Sequence, residues 1–496
     1  MSKALLDIFY VLSSSTLAKC IGACTAFILP ILLEPENYGV WITILLIISY
    51  APIASLGTVE TLLKQYPYFI GKQEYREARN LENSILSSIL VSAIVLSLTG
   101  ILSYQLILNS SLAPHALLIS IMFAAASINM FSSYFYYRIT AHQEFKSASL
   151  IDSVRALTAI VFLVYFSWLW QLKGTVFGFF FNELLICTIS IIIGYKICGD
   201  INFNFDYRPM WSAIRIGFPI TIAWWILNLQ ISTDRIVSMT MLGKTETGFY
   251  GLGAMMYSTI ILIPVAMNRV LYPRISEGIG KKADQKTILN LVLLPVRILS
   301  VVIPVFIGIS IFLIPSIYYY VFPKYIPGQS SAQILLLGSF AFCLIGNGAN
   351  YLIASDKQKI LVIFALVSLA TNILTAIYFV RLEFGIEGIA FSTGLSSFLL
   401  TILIWKFVLK DLGFRKIEIW RNMGYLYMPL GFLIALLMLL YAVYPDCFGT
   451  VGFHAILYSG IYLMSYLLIL YLMPPYRGFI EVIQKSFHER MCSRSK

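Results

Sequence analysis

The chain has 496 residues, of which 59% are hydrophobic and only 12% are charged. Soluble domains carry about 25% charged residues, so this composition excludes an assembly of soluble domains. The formal net charge of +11 could indicate nucleic acid, but the basic residues are spread over alternate connections between apolar stretches. We therefore predict no nucleic-acid partner.

Apolar stretches long enough to cross a hydrocarbon core about 30 Å thick recur along the whole chain. They predict an all-α integral membrane protein of about fourteen transmembrane spans, numbered in chain order: residues 5–33, 38–63, 85–108, 116–137, 150–172, 176–195, 214–242, 247–271, 289–314, 332–353, 360–380, 386–405, 425–444 and 453–473. Several prolines lie within these spans and are typical of helices that bend: Pro30, Pro52, Pro219, Pro264, Pro295 and Pro304.

The distribution of Lys and Arg predicts the orientation in the membrane. Most of them lie at the N-terminus, in alternate connections such as that after span four (Arg138, Lys146), or in the tail. The intervening connections hold Lys173, Lys244, Lys324 and Arg381. This is the positive-inside pattern, so both termini are expected in the cytoplasm and the protein in the plasma (inner) membrane.

Span one carries Lys19 near its middle. A charged side chain at that depth costs roughly 2.5–3.5 kcal/mol on insertion scales, so it is expected to face a polar cavity or a partner. One hypothesis is a cavity that attracts an anion such as a phosphate. The alternative is an ion pair with an acid on a neighbouring helix, for instance Glu183 in span six.

Glu60 and Lys64 lie four residues apart near the end of span two, a spacing at which they can pair with each other. Alternatively, Lys64 and Arg269, at the end of span eight, form a docking charge for phosphate at the inner leaflet. Two further acids lie within spans, Asp152 and Glu183. Asp152 is expected to pair with Arg155, which leaves Glu183 as a candidate for binding a coupling proton or Na⁺.

Span seven is unusually polar and aromatic for a lipid-facing helix. Indole rings and amides suit sugar stacking and hydroxyl recognition, and polar residues that join helices are the alternative. Asp234 and Arg235 are adjacent and point in different directions from the helix. The residues concerned are Trp224, Trp225, Asn228, Gln230, Asp234 and Arg235. We predict substrate binding for Trp224, Asn228, Gln230 and Arg235, and ion coupling for Glu183, Glu60 or Asp234.

A weak internal repeat relates residues 1–200 to residues 210–410. Gly39, which opens span two, corresponds to Gly248, which opens span eight, and Tyr66-Pro67 corresponds to Tyr272-Pro273. Two parallel six-helix lobes with a substrate site between them are a transporter plan. The predicted domains are an N-lobe at 1–200, a C-lobe at 201–410, spans thirteen and fourteen at 411–473, and a basic cytoplasmic tail at 474–496.

The chain resembles the polysaccharide-transporter branch, the O-antigen-type flippases, of the multidrug/oligosaccharidyl-lipid/polysaccharide (MOP) exporter superfamily. Three stretches carry this resemblance: residues 32–41, Gly217-Phe218-Pro219 with Thr233-Asp234-Arg235, and Gly248-Phe249-Tyr250. The resemblance implies two lobes that move a polyprenyl-diphosphate-linked oligosaccharide from the inner to the outer leaflet for lipopolysaccharide-type biosynthesis. It also implies cations around the cavity in spans one, two and eight, where Lys19, Lys64 and Arg269 lie, and polysaccharide-assembly proteins as partners beside membrane lipids.

Two alternatives stay open at this point. A multidrug/cation antiporter of the same superfamily would favour acids and aromatics in the N-terminal cavity, whereas the deepest charge here is a cation. A membrane glycan polymerase or ligase would need outward-facing catalytic groups, usually on a large outer loop. The sequence shows no such loop, no phosphate-binding glycine loop and no metal-ligand spacing. We therefore predict a non-enzymatic protein with no catalytic residue, metal or cofactor.

Overall fold

The computed structural model describes residues 18, 21–22, 24–108, 113–142, 144–200, 207–280, 284–355, 357–444 and 448–472. Every regular element in these ranges is a helix, as the all-α prediction requires. Residues 24–32 are helical. The following α-helices are α1 (Pro35–Ile44), α2 (Leu46–Tyr50), α3 (Thr58–Gly71), α4 (Tyr75–Ile107), α5 (Ala116–Ala141), α6 (Phe145–Cys198), α7 (Tyr207–Met241), α8 (Lys244–Gly280), α9 (Gln285–Tyr320), α10 (Gln329–Cys343), α11 (Ile345–Ala354), α12 (Gln358–Arg381), α13 (Gly385–Asp411), α14 (Lys416–Val443) and α15 (Phe453–Leu472).

Within the described residues, 11 helical stretches are long and apolar enough to cross a membrane. They correspond to predicted spans two to six and eight to fourteen, with spans five and six counted together. Helix α7 covers predicted span seven, and most of span one lies outside the described residues. The chain is thus a multi-pass membrane protein, while the count of fourteen spans and their orientation stay predictions.

Spans five and six form one helical run of 54 residues, α6, which reverses direction at its middle. Trp170 and Gln171 leave the helical conformation there, and Gln171 has a positive φ of 49°. The two arms approach closely because glycines remove side chains from their interface. A Cβ on Gly178 would lie 2.6 Å from the Phe162 carbonyl oxygen, and one on Gly174 would overlap the carbonyl of Phe166.

The chain forms two compact units. The first contains Met1–Met239 and Gly243–Gly248, and the second contains Thr240–Leu242 and Phe249–Lys496. Helix α7 therefore belongs almost wholly to the first unit, and helices α14 and α15 belong to the second. The predicted lobe boundary at residue 200 was drawn from the sequence repeat, whereas the two units are defined by proximity in space. This boundary therefore stays a prediction.

The second unit is built around α9, a helix that contains Pro295, Pro304 and Pro315. Each proline removes the N–H that would bond the carbonyl four residues before it. Other helices supply the missing donors: Gln333 Nε2 donates to the Ile311 oxygen at 3.1 Å, and Asn347 Nδ2 lies 3.4 Å from the Leu291 oxygen. Buried amides thus allow α9 to bend without leaving these carbonyls unpaired in the membrane.

Gln333→Leu is expected to lower the stability of the purified protein by about 1 kcal/mol, because the Ile311 carbonyl loses its donor in an apolar environment. The measurement is the midpoint of thermal unfolding in detergent. Gln329→Leu is the matched control, since Gln329 Nε2 donates to the Phe448 oxygen and has no bond to the Ile311 carbonyl. Equal midpoints for the two variants would contradict this account of α9.

The first turn of α8 belongs to the first unit and packs against the start of α1. A Cβ on Gly39 would lie 2.7 Å from the Gly248 nitrogen, and a Cβ on Gly248 would lie 2.6 Å from the Pro35 carbonyl carbon. Beside this contact, Lys244 Nζ lies 3.4 Å from Glu36 Oε1. The two glycines that the repeat aligns are therefore in direct contact, which explains why both positions lack a side chain.

Candidate functional site

The helix of predicted span two is broken. Helix α2 ends at Tyr50, a 3₁₀ helix follows at Ala51–Ser55, and α3 begins at Thr58. Between them, Leu56 and Gly57 adopt left-handed conformations with φ of 51° and 79°. Non-helical backbone at membrane depth is tolerated where it is buried in protein or lines a cavity, and broken helices often carry the binding sites of transporters.

Helix α7 packs against this broken span along much of its length. A Cβ on Gly57 would lie 2.6 Å from the Phe218 nitrogen, and Thr61 Oγ1 donates to the Ala213 oxygen at 2.7 Å. Further along, the Tyr50 hydroxyl is hydrogen-bonded to Ser232 Oγ, and the Tyr50 ring meets the Trp225 ring edge-on at 6.0 Å. Span two and span seven thus form one interface within the first unit.

The α7 side of this interface is a regular stripe. Five residues recur at intervals of four and three and therefore share one face of the helix: Thr221, Trp225, Asn228, Ser232 and Arg235. Asn228 is exposed, Thr221 and Ser232 are buried, and Trp225 and Arg235 are partly buried. A membrane helix with such a face presents hydrogen-bonding groups to whatever lies beside it.

Four buried polar atoms along this interface have no hydrogen-bond partner among the described residues: Glu60 Oε2, Thr221 Oγ1, Trp225 Nε1 and Arg235 Nε. Buried polar atoms are almost always paired, so a group of orphans at one interface requires an explanation. The indole and guanidinium nitrogens are donors only, and the hydroxyl can donate. The interface can therefore accept a ligand rich in oxygen acceptors.

Arg235 is the cation of this interface. Its backbone N–H donates to Asp234 Oδ1 at 2.7 Å, and its charge acts on Tyr38 and Tyr50. Asp234 itself is only 5% exposed. The charges of both Asp234 and Arg235 act on Tyr50 of α2, so the prediction that the two residues face different surroundings stays a prediction.

The remaining predicted site residues stand as follows. Lys19 lies outside the described residues. The backbones of Lys64, Trp224, Gln230 and Arg269 are helical, whereas their side chains lie outside the described part of the structure. The predicted roles of these five residues therefore stay predictions.

Glu183 is part of a second polar cluster, formed by α5 and both arms of α6. It is 3% exposed and accepts a hydrogen bond from Asn129 Nδ2 at 2.8 Å. Arg155 donates to Ser132 Oγ at 3.3 Å, and the Tyr136 hydroxyl donates to Asp152 Oδ2 at 2.8 Å. No hydrogen bond joins Asp152 to Arg155 among the described residues, but the charge of Arg155 acts on the Asp152 carboxylate, so the two residues interact at longer range.

Sequence reasoning missed several residues of the interface, namely Tyr50, Thr221 and Ser232. It predicted substrate binding for Trp224, whereas the indole that the structure describes at this interface is that of Trp225. The helical spacing 221–225–228–232–235 was a usable signal for the stripe. Tyr50 gave no such signal, because its contact with Ser232 joins residues 182 positions apart.

Comparison with known proteins assigns the fold. A family model described as "Polysaccharide biosynthesis protein" matches residues 4–279, more than half of the chain. A Shigella flexneri protein named "Putative O-antigen transporter" is 19% identical over 396 residues, which cover 75% of this chain and 90% of that protein.

Solved structures agree with this assignment. The lipid II flippase MurJ in an inward closed conformation superposes with a TM-score of 0.69 at 16% identity, covering 96% of this chain and 100% of that one. An inward-facing multidrug resistance MATE transporter of the MOP superfamily gives 0.67 at 12% identity, covering 82% and 98%. At these identities the likeness shows the fold, which the chain shares with these two transporters.

Proposed function

The chain belongs to the polysaccharide biosynthesis protein family, and on that premise we propose that it is a flippase for a polyprenyl-diphosphate-linked oligosaccharide. It moves this lipid from the inner to the outer leaflet by alternating access. The observation that carries the proposal is the polar face of α7, where Trp225 Nε1 and Arg235 Nε are buried donors beside the broken span two and have no partner in the described part of the chain.

The chemistry of the substrate fits this face. A sugar head group loses its water when it enters hydrocarbon, and each unpaired hydroxyl then costs several kcal/mol. Orphan donors along a membrane helix replace those lost hydrogen bonds, and the edge-on Tyr50–Trp225 pair offers aromatic surface to a sugar ring. The guanidinium of Arg235 attracts the diphosphate. Lys19, Lys64 and Arg269 belong to the same proposal on sequence grounds.

Coupling to an ion gradient is part of the proposal, with Glu183, Glu60 and Asp234 as candidates. Glu183 and Asp234 are buried, but each accepts a hydrogen bond from a neighbouring donor. Glu60 has a buried oxygen with no partner among the described residues. Thr221 of α7 nevertheless lies within reach of the Glu60 carboxylate, so all three acids stay candidates.

The direct test is transport by the full-length protein in liposomes that contain a labelled undecaprenyl-diphosphate-linked oligosaccharide. Head groups that reach the opposite leaflet become accessible to a glycosidase added on that side. We expect protein-dependent, saturable accessibility. Transport of a cationic dye without movement of the lipid-linked glycan would favour the antiporter and overturn the flippase proposal.

Arg235→Ala is expected to reduce this transport at least tenfold, because a charge-assisted hydrogen bond to the substrate contributes about 1.5–3 kcal/mol. Arg235→Lys keeps the charge but loses the planar set of donors, so an intermediate rate is expected. Arg381→Ala is the matched control, since Arg381 is exposed at the end of α12. If Arg235→Ala transports at the rate of the Arg381→Ala protein, Arg235 does not contact the substrate.

A further inference from the structure

The starts of three helices of the first unit meet around Lys244, in the first turn of α8. Its ammonium lies 3.3 Å from Nε2 of His115, the residue before α5, and 3.4 Å from Oε1 of Glu36 in the first turn of α1. All three residues lie in or beside predicted outer connections, where Lys244 is one of four basic residues. Cations are sparse on this side under the positive-inside pattern, so the contacts of Lys244 require an explanation.

A second polar contact lies beside this cluster. Asn37 Nδ2 donates to Gln171 Oε1 at 3.3 Å, at the turn between the two arms of α6. Side chains therefore link residues in or beside all four predicted outer connections of the first unit. The side chains of Glu36 and Lys244 are 59% and 22% exposed. Contacts between exposed charges are individually weak, so these links can form and break.

Lys244 occupies a special place in the chain. The segment Gly243–Gly248 belongs to the first unit, whereas the residues on both sides of it belong to the second. The backbone of this segment packs against α1 where Gly39 and Gly248 meet, and two glycines offer no side chains that interlock. The polar contacts of Lys244 therefore contribute to how firmly the first unit holds this segment.

The imidazole of His115 makes the contact sensitive to protonation. A lysine ammonium only donates hydrogen bonds, so Nε2 of His115 is the acceptor, and the imidazole is neutral with its proton on Nδ1. A second proton, on Nε2, removes this acceptor and places two positive charges 3.3 Å apart. Like charges at such a distance repel each other, so protonation of His115 weakens its contact with Lys244.

The surrounding charges compensate only part of this repulsion. The charges of Lys244 and Glu36 both act on His115, but Glu36 is one acid for two cations after protonation. Glu34 and Glu246 are the other charged residues at the starts of α1 and α8. Lys173, beyond the turn of α6, is exposed and adds a further positive charge to the predicted outer side.

We propose that Glu36, His115 and Lys244 form a pH-sensitive latch, which holds the segment Gly243–Gly248 on the first unit at neutral pH and releases it when His115 is protonated. The inference rests on the proposed function in that release of the latch speeds delivery of the lipid-linked glycan to the outer leaflet. Histidine changes its charge between about pH 5 and 8, so acidification of the outer side is the signal. The proton on His115 stays on the outer side and is not the coupling ion.

Hydrogen exchange followed by mass spectrometry tests the latch in the purified full-length protein. Peptides that contain residues 243–248 are labelled at about pH 8 and about pH 5, with labelling times scaled to the intrinsic exchange rate at each pH. We expect exchange of this segment to be up to about fivefold faster at the lower pH, the size expected for a partly exposed charge contact.

Three variants decide the proposal. His115→Gln keeps an uncharged acceptor for Lys244, so the segment stays protected at both pH values. His115→Lys carries a permanent positive charge, so exchange is fast at both. Lys173→Met is the matched control, because it removes another outer cation and leaves the pH response of the wild type. A wild type without a pH response, or a His115→Gln protein that retains it, overturns the proposal.

The liposome assay, with equal pH on both sides, separates this result from a failure of the proposed function. Acidification is expected to speed glycan transport by the wild type more than transport by His115→Gln. If glycan moves and both proteins respond equally to pH, the regulatory role of the latch alone is refuted. If exchange depends on His115 while no glycan moves, the latch stands and the flippase proposal fails.

Discussion

Arg138→Leu is expected to destabilise the protein by about 3–5 kcal/mol, because it leaves the carboxylate of Glu82 buried without its main counter-charge. Arg138 is only 1% exposed, and its Nε lies 3.2 Å from Glu82 Oε1. The same guanidinium donates to the carbonyl oxygens of Cys198 and Gly199 at 3.0 and 3.2 Å. One side chain therefore joins the start of α4, the end of α5 and the end of α6.

The measurement is the amount of monodisperse protein that survives heating in detergent, followed by size-exclusion chromatography. Arg79→Leu is the matched control, because Arg79 is exposed and donates once, to the Asp200 oxygen at 3.3 Å. The double variant Arg138→Leu/Glu82→Leu is expected to recover part of the loss, since removal of both charges leaves neither unpaired. An Arg138→Leu protein as stable as the Arg79→Leu protein would refute the role of this ion pair.

Arg138 also shows what sequence reasoning can and cannot extract from a charge. Its position after span four places a cation near a connection that the positive-inside pattern assigns to the cytoplasm. That pattern counts charges along the chain and contains no information about burial. Because Glu82 lies 56 residues away, no local spacing reveals that Arg138 is the buried partner of an acid.

Some features of the candidate site could likewise be predicted from the sequence, and others could not. The fold class, the polar character of α7 and the presence of a cation within it, Arg235, follow from composition and helical spacing, since these are local properties of the sequence. The break in span two was only partly predictable. Pro52 indicates a bend, but the left-handed conformation of Leu56 is imposed by tertiary packing, because a leucine has no intrinsic preference for it.

The structure gives a physical reason for the glycines that lie in the family-like motifs. Gly217 was one of the residues on which the resemblance rested, and its backbone now proves to lie directly against Gly57 of the broken span. A sequence shows that a glycine is present, but it does not show which helix approaches it. The partner becomes known once the packing of α3 against α7 is seen.

Gly57→Ala is expected to impair folding and transport strongly, for two additive reasons. The new Cβ would overlap the carbonyl of Gly217 and lie 2.6 Å from the Phe218 nitrogen, and such overpacking costs about 1–3 kcal/mol. The positive φ of 79° adds roughly 1–2 kcal/mol for a residue with a side chain. Gly217→Ala meets the steric penalty alone, because its Cβ would overlap Gly57 and lie 2.7 Å from Thr61 Oγ1.

The order of the three variants tests this explanation. Gly431→Ala is the control, since Gly431 lies in α14 and a Cβ there would meet nothing within 4 Å. We expect transport and thermal stability to fall most in Gly57→Ala, less in Gly217→Ala, and not at all in Gly431→Ala, where alanine is the better helix former. A Gly57→Ala protein with wild-type stability and transport would show that the two helices separate here, and the interface described above would then not exist in the membrane.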